Sequence, residues 1–452
     1  MNSPASASDK WYSGVTRYQW LVLVVASLGW VFDAFEGQLY NLTRFDMLPD
    51  LLGVANLPAS PSTDVGEAAS GANAAVLSRA EADALVKRWG EILLGIFLAG
   101  GTLGGWLFSW MADRWGRKPI MALTILFYSI FSGLTAFATD IWQVGALRFL
   151  VAMGVGGEWA VGAALVAEVF PAKARERASG IFHATSVAGL WLAAAAGYAV
   201  GSHWRWAYLI GIVPALLVLW VRVAIREPDS WQEAKQEKAE RLGSIRELLG
   251  VSRWRTNAIF GALLAMTGLA TFWGVVVAGQ DIANELFKKL GDANASQNAK
   301  LAYGFVQNFG AGLGMLAFGP LSAWLGRKPT FVLMHLAALV VTPLLCWLPL
   351  HFESRLLLFI LMPIFGFFTL GIHAGYAVYF PELFPTHLRA TGAGFCFNTG
   401  RILAAPVLIW LSASMKAAYP LPMAISLLGG FFLLGILFLL GLPETKGQPL
   451  PE

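Results

Sequence analysis

Ser109-Trp110-Met111-Ala112-Asp113-Arg114-Trp115-Gly116-Arg117-Lys118-Pro119 closes a long apolar run, and its last four residues return 210 positions later as Gly326-Arg327-Lys328-Pro329. A second phrase repeats at nearly the same interval: Glu168, Pro171 and Arg175 reappear as Glu382, Pro385 and Arg389, each 214 positions on. Rare polar phrases that recur inside apolar sequence point to a chain built from two homologous halves. Both copies follow apolar runs, so they sit where membrane spans meet water.

Composition sets the solvent. Apolar residues make up 57% of the 452-residue chain, charged residues only 13%, and mean hydropathy is +0.60, outside the balance of a water-soluble domain. The apolar segments are continuous, whereas the strands of a membrane barrel would alternate polar and apolar residues. Twelve runs are long enough to span, at 18–41, 90–112, 117–138, 142–169, 178–200, 204–225, 256–278, 301–323, 329–350, 355–379, 388–413 and 420–442. The fold expected is all-α: two pseudo-symmetric six-helix bundles in a membrane. The division is a tail over 1–17, a first bundle over 18–225 with an external loop at 42–89, a linker over 226–255, a second bundle over 256–442, and a tail over 443–452.

An inside N-terminus puts about 20 of the 32 Lys and Arg residues in inside segments and about 10 outside. Both termini are therefore expected in the cytoplasm. The net charge of +4 is an asymmetry of loops and gives no reason to expect nucleic acid as a partner. The polar start, Met1 to Lys10, does not read as a cleavable signal, because the first apolar run is long enough to remain as a span.

Two stretches break the membrane pattern. Residues 45–77 contain Pro58-Ala59-Ser60-Pro61-Ser62 and read as an exposed external loop with little structure, followed by a capping box over Ser78 to Glu81. The linker shows Pro228 at a helix start, Glu237 four residues before Arg241, and a capping box from Ser244 to Glu247, which together predict short surface helices. Cys346 and Cys396 lie in separate apolar runs without ligand spacing and read as packing residues. No metal site or cofactor is expected, and no phosphate-binding loop couples the chain to ATP. The glycine pairs Gly100-Gly101 and Gly104-Gly105 read as places where helices pack closely.

The Ser109–Lys118 stretch resembles the loop signature between the second and third spans of the major facilitator superfamily, and Gly319-Pro320-Leu321 through Lys328 resembles its second copy. Ser109 stands where the signature usually has Gly. Ala323 stands where the second copy could have had Asp, so a charge latch is expected to be stronger in the first half. The Glu-x-x-Pro-x-x-x-Arg phrases are similar to those of the sugar-porter-like branch. Gly29-Trp30-Val31-Phe32-Asp33-Ala34-Phe35-Glu36 resembles the first-span motif of organic-acid proton symporters, with Glu in place of the usual second Asp. Gly156-Gly157-Glu158-Trp159 and Asn398-Thr399-Gly400-Arg401 resemble phrases of the sialate, aromatic-acid and metabolite proton symporters. The resemblance implies a transporter, not an enzyme, that works by alternating access.

Charges inside spans cost on the order of 2.5–3.5 kcal/mol each on insertion scales, so they mark function by default. Asp33, Glu36, Glu158 and Arg148 are the proton-coupling candidates, with Arg148 placed to tune Glu158. Arg401 is assigned to the carboxylate of an anionic substrate and Asn398 to a neutral contact one turn away. Gln38, Tyr40, Trp191 and Asn308 are further substrate-binding candidates. A structural alternative stays open for Arg401, which could pair with Glu158 or Asp33 to hold the bundles together. Asp113, Arg114, Arg117, Glu168, Arg175, Glu382 and Arg389 are assigned to a conformational latch that joins helices only while their inner ends are together. His183, His335 and His373 read as core histidines before proton relays.

The function expected is proton-coupled symport of a small organic anion: a monocarboxylate, an aromatic acid or a sialate-like acid. A sugar or polyol porter is the alternative within transport, and a transporter-like receptor without translocation is the alternative of another class. The partners expected are a small-molecule substrate, protons and the lipid bilayer, with the chain a monomer in a bacterial inner membrane.

Overall fold

The structure, a computed structural model, describes residues 10–54, 79–201 and 203–452. Among the described residues there is no strand, and ten helices are long and apolar enough to cross a membrane. In chain order these are α1 (Arg17–Leu51), α2 (Arg79–Trp115), α3 (Arg117–Thr135), α4 (Ile141–Val169), α5 (Ala172–Val200), α7 (Ser252–Lys289), α9 (Arg327–His351), α10 (Arg355–Leu383), α11 (Thr386–Ala418) and α12 (Leu421–Gly441). Two interrupted helices complete the twelve: α6 over 204–224, broken at Gly211 to Pro214, and α8 over 295–325.

Local chemistry explains where these helices start. Thr16 caps α1 in a capping box with Gln19, Asp140 accepts from the amides of Trp142 and Gln143 ahead of α4, and Ser354 does the same for Leu357 ahead of α10. The two signature loops are tighter. α3 and α9 begin directly after Gly116 and Gly326, whose φ angles of 112° and 109° lie where a Cβ is strained, so glycine is required at both.

The first helix runs to Leu51, well past the sequence-based end at 41, and passes through Pro49. Its continuation is amphipathic: Glu36, Leu39, Tyr40, Thr43 and Met47 are all buried at spacings of three and four. Thr43 donates to the Leu39 carbonyl at 2.7 Å, and its hydroxyl lies 3.2 Å from that of Tyr208, anchoring the extension to α6. α2 likewise starts by Arg79, before the expected 90. The expected loop centre and the Ser78 cap lie outside the described residues.

The halves repeat one packing scheme. α2 lies along α4 in the first half, as α8 lies along α10 in the second. Across the interface α2 packs on α11 and α5 on α8, two contacts exchanged by the pseudo-twofold relation. The linker forms helices at Asp229–Glu237 and Ile245–Gly250. Arg241 pairs with Glu247 at 2.6 Å, and Ser244 accepts from the Glu247 amide at 3.2 Å. The linker touches both halves, through Trp231 Nε1 to the Asp113 carbonyl at 2.7 Å and Gly243 N to the His387 carbonyl at 2.8 Å.

Candidate functional site

Midway along the spans, three charges from both halves converge. The Glu158 carboxylate on α4 lies against the Cα of Gly29, one turn before Asp33 on α1, and a Cβ at Gly29 would collide with it. Arg401 reaches from α11 across to α2, where its Nη1 occupies the space a side chain on Gly101 would fill. Asn398, one turn earlier, fills the equivalent space at Gly105. The glycine pairs of α2 thus divide their work: Gly100 and Gly104 pack on the backbone of α4, while Gly101 and Gly105 admit polar side chains from the other half. Arg401 is within electrostatic reach of Asp33, and Asp33 of Glu158.

The two carboxylates are buried. Asp33 is 1% exposed and Glu158 2%, and none of their four carboxylate oxygens has a hydrogen bond among the described residues. Asn398 donates to the Gly394 carbonyl at 2.9 Å and leaves its own Oδ1 unpaired. Arg401, partly exposed, makes no ion pair within 4.0 Å of a described carboxylate. The structure therefore does not show Arg401 clamping the bundles together by a direct pair with Asp33 or Glu158.

An aromatic layer borders the charges. Trp159 stacks on Phe397 across the interface with centroids 4.3 Å apart, and its indole N–H donates to His183 Nδ1 at 3.1 Å. That bond makes Nδ1 of His183 the acceptor, so its proton sits on Nε2. Trp30 lies 5.3 Å from the His183 ring, and the Arg401 guanidinium is 5.4 Å from Phe397. Trp30, Trp159 and Phe397 were not singled out from sequence. The available signal was their place beside Glu158, Asn398 and the first-span carboxylates.

The other candidates separate. Glu36, three residues after Asp33, turns into the first half, where its carboxylate and the Ser132 hydroxyl both face the Cα of Gly211. Arg148 is held between the rings of Tyr40 and Phe97, 4.3 Å from each centroid. Its electrostatic neighbours are Tyr208, Tyr40 and Glu36, so the expected link to Glu158 is replaced by one to Glu36. Tyr40 donates to the Gly90 carbonyl, and Gln38 accepts from Asn41, so both are engaged along α1 and α2 and away from the central charges. Asn308 is buried on α8. Trp191 donates to the Gly304 carbonyl at 3.2 Å, a bond between the halves on the side away from the signature loops.

The signature-loop end is the electrostatic opposite. Arg117 pairs with Glu168 at 2.7 Å and with Asp113 at 3.0 Å, and Glu168 also takes Arg389 of the second half at 2.9 Å. Asp113 accepts from the amides of Ala390 and Thr391, while Arg117 donates to the Thr386 carbonyl. In the second copy Arg327 pairs with Glu382 at 2.7 Å and with Glu176 of the first half at 2.6 Å. Glu176 thus supplies across the interface the carboxylate missing at Ala323, and Arg327 has as many acidic partners as Arg117. Arg175 donates to the Ala167 carbonyl, matching the bond from Arg389 to Pro381, and Arg114 points outward over Trp110.

Two further carboxylates, absent from the sequence-based set, complete the repeat. Glu227 accepts from the amides of Arg117 and Lys118, and Glu444 accepts from those of Arg327 and Lys328, at 2.9 and 3.0 Å in each copy. Each sits on the positive end of a helix. Burial pushes the Glu227 carboxyl above its ordinary range, against the pull of the two amides and Arg117. With all these bonds formed, the halves are joined at the signature-loop end.

Known proteins place this geometry. Residues 68–407 match the family model described as Major Facilitator Superfamily. A protein of Cupriavidus pinatubonensis named for 4-methylmuconolactone transport is 28% identical over 97% of this chain and 93% of its own length. The sialic acid transporter NanX of Escherichia coli is 28% identical over 88% of each chain. Among solved structures, the proton:xylose symporter XylE superposes with a TM-score of 0.74 at 17% identity, covering 96% of this chain and 98% of that one. The signature loops, the duplicated twelve-helix bundle and a family match over most of its length agree that the chain is a multi-pass membrane transporter of the major facilitator superfamily.

Proposed function

We propose that this transporter is a proton-coupled symporter of a small organic anion, working by alternating access in a bacterial inner membrane with the signature loops on the cytoplasmic side. The observation that carries the reading is the meeting of the partly exposed Arg401 with the buried Asp33 and Glu158 between the halves, with no ion pair among the described residues. Arg401 takes the substrate carboxylate through a two-pronged contact, and Asn398 offers an adjacent amide. The Trp159–Phe397 stack and Trp30 supply a flat apolar wall for the rest of the anion. A neutral sugar would leave the Arg401 charge uncompensated, which favours an acid over the sugar-porter reading.

Coupling follows from charge balance. A proton on Asp33 or Glu158 removes the repulsion between the two carboxylates and weakens their hold on Arg401, and it leaves the loaded assembly one negative charge closer to neutral, which lowers the cost of crossing. Loss of that proton restores the competition for Arg401 and expels the substrate. The latch at the signature-loop end holds the cytoplasmic side shut until the loaded site offsets its ion pairs. Relatives named for organic-acid transport support this assignment.

The test is uptake by proteoliposomes of cis,cis-muconate, benzoate, sialic acid and xylose with and without an inward proton gradient. Gradient-dependent accumulation of an acid, and none of xylose, is expected. Accumulation of xylose alone, or of an acid without regard to the gradient, contradicts the reading.

A further inference from the structure

Two buried carboxylate sites lie in the first half, and a polar seam joins them. The central site is Asp33 and Glu158; the second is Glu36, with Arg148 beyond it. Between them runs one face of α3. Tyr128 and Ser132 are four residues apart and so point the same way. Tyr128 backs onto Gly154, one turn from Glu158 on α4. Glu158, Asp33 and Glu36 are all within its electrostatic reach, so it interacts with both sites. Ser132, one turn on, shares the Cα of Gly211 with Glu36.

The seam is polar, enclosed and unsatisfied. Tyr128, Ser132 and Glu36 are each 0% exposed, and among the described residues the Tyr128 hydroxyl and Arg148 Nε have no hydrogen-bond partner, while the Ser132 hydroxyl and the Glu36 carboxylate have none but each other. Packing alone is better served by Phe and Ala at these two positions, because an unmade buried hydrogen bond is costly. The charged and titratable groups facing the seam are Asp33, Glu36 and Tyr40 from α1, Arg148 and Glu158 from α4, Tyr208 from α6 and, across the interface, Arg401.

We propose that Tyr128 and Ser132 are relay residues that pass protons between Glu36 and the Asp33–Glu158 pair, a side route separate from the substrate path. The proposal rests on the proton-coupling reading. In each passage a proton leaves the Glu36 carboxylic acid and moves by way of the Ser132 and Tyr128 hydroxyls to Asp33 or Glu158. Water bridges the gaps wider than a hydrogen bond, and each hydroxyl takes one proton as it gives up its own. Glu36 ends as carboxylate, the receiving group as carboxylic acid, and the hydroxyls unchanged. Beyond Glu36 the seam continues past Arg148 and Tyr40 to Tyr208 and Thr43, whose hydroxyls are 3.2 Å apart. It ends near a cavity of about 570 Å³ lined by Asp46, Asp50, Trp204 and Arg205, on the side away from the signature loops.

The test needs no substrate. Infrared spectroscopy of the reconstituted full chain after a pH jump follows carboxylic C=O bands, assigned to each site by Glu36→Gln, Asp33→Asn and Glu158→Gln. In Tyr128→Phe/Ser132→Ala, the central band is expected to rise more than about tenfold more slowly than in the unmodified protein, with the Glu36 band unaltered; such a loss is typical of a removed proton-transfer group. Ser132→Ala alone is expected to show a smaller slowing, and thermal melting checks that each variant is folded. An unchanged rate in the double variant overturns the relay and leaves proton coupling standing. A central pair that shows no band at any pH in the unmodified protein overturns both.

Discussion

At the signature-loop end every arginine at the heart of the network is matched, Arg117 and Arg327 each by two carboxylates and Arg389 by Glu168, all buried. At mid-span, Asp33, Glu158 and Glu36 are as deeply buried, and among the described residues none of them has an ion pair. The difference separates two uses of charge in a membrane. Paired charges define one arrangement of the halves, because their desolvation is compensated only when the partners meet. Unpaired charges have interactions left to make, with an anion or a proton, and so respond to what arrives. On the proposed function, stability belongs to the first region and transport to the second.

The sharpest way to break this contrast is to remove the arginine at each place. Arg401→Ala should abolish anion binding and uptake, a loss of at least about 100-fold if a charge-assisted, two-pronged contact is removed. Melting temperature should fall little, since no ion pair is lost; equilibrium dialysis and thermal unfolding report the two quantities. Glu168→Gln should do the reverse. It leaves Arg117 and Arg389 buried without their shared carboxylate, a cost of about 3–5 kcal/mol to the joined arrangement. Spin-label distances across the signature-loop end should lengthen, while affinity measured on the population that stays closed is preserved.

Smaller changes grade the comparison. Glu176→Gln removes one of the two carboxylates of Arg327 and should cost about 1–3 kcal/mol, visible as partial opening of the same end. Were it without effect, the exchange of Glu176 for the residue missing at Ala323 would be geometric only. Trp191→Phe removes a single indole–carbonyl bond to Gly304 and should favour opening of the opposite end by about 1 kcal/mol, read from accessibility of a cysteine placed there.

The least effect is expected of acid on the linker. Burial raises the Glu247 carboxyl, but Arg241 and His387 outweigh it and hold it below its ordinary range. A depressed folded-state value stabilises docking above the unfolded value of about 4.3 and loses that stabilisation as pH falls through the lower folded value. The protection factor of the amides in Ile245–Gly250, corrected for intrinsic exchange at each pH, should therefore stay constant from neutral pH down to about 5 and fall in stronger acid.

The sequence made the duplication, the membrane class and the signature loops legible, because rare polar phrases at equal intervals survive in apolar surroundings. It also placed Asp33, Glu158 and Arg401 in mid-span by counting residues. What it could not show is direction. Asp33 and Glu36 are three residues apart, a separation of one turn less about sixty degrees, and that angle is enough to send one to the interface and the other into the first half. The same limit hid Glu176, whose neighbour Arg175 carried the repeat, and Glu227 and Glu444, whose task depends on helix starts far away in the chain. The extension of α1 to Leu51 was masked by Asn41, Arg44, Asp46 and Asp50 on its wet face, and periodicity of the buried residues outlasted the apolar run.

The claim that unpaired mid-span carboxylates do the coupling is tested most directly in Glu158→Gln, by measuring proton-driven accumulation and substrate counterflow in the same proteoliposomes. The account predicts that accumulation against a gradient disappears and that exchange of labelled for unlabelled anion persists. Full accumulation with an unaltered dependence on external pH would contradict it.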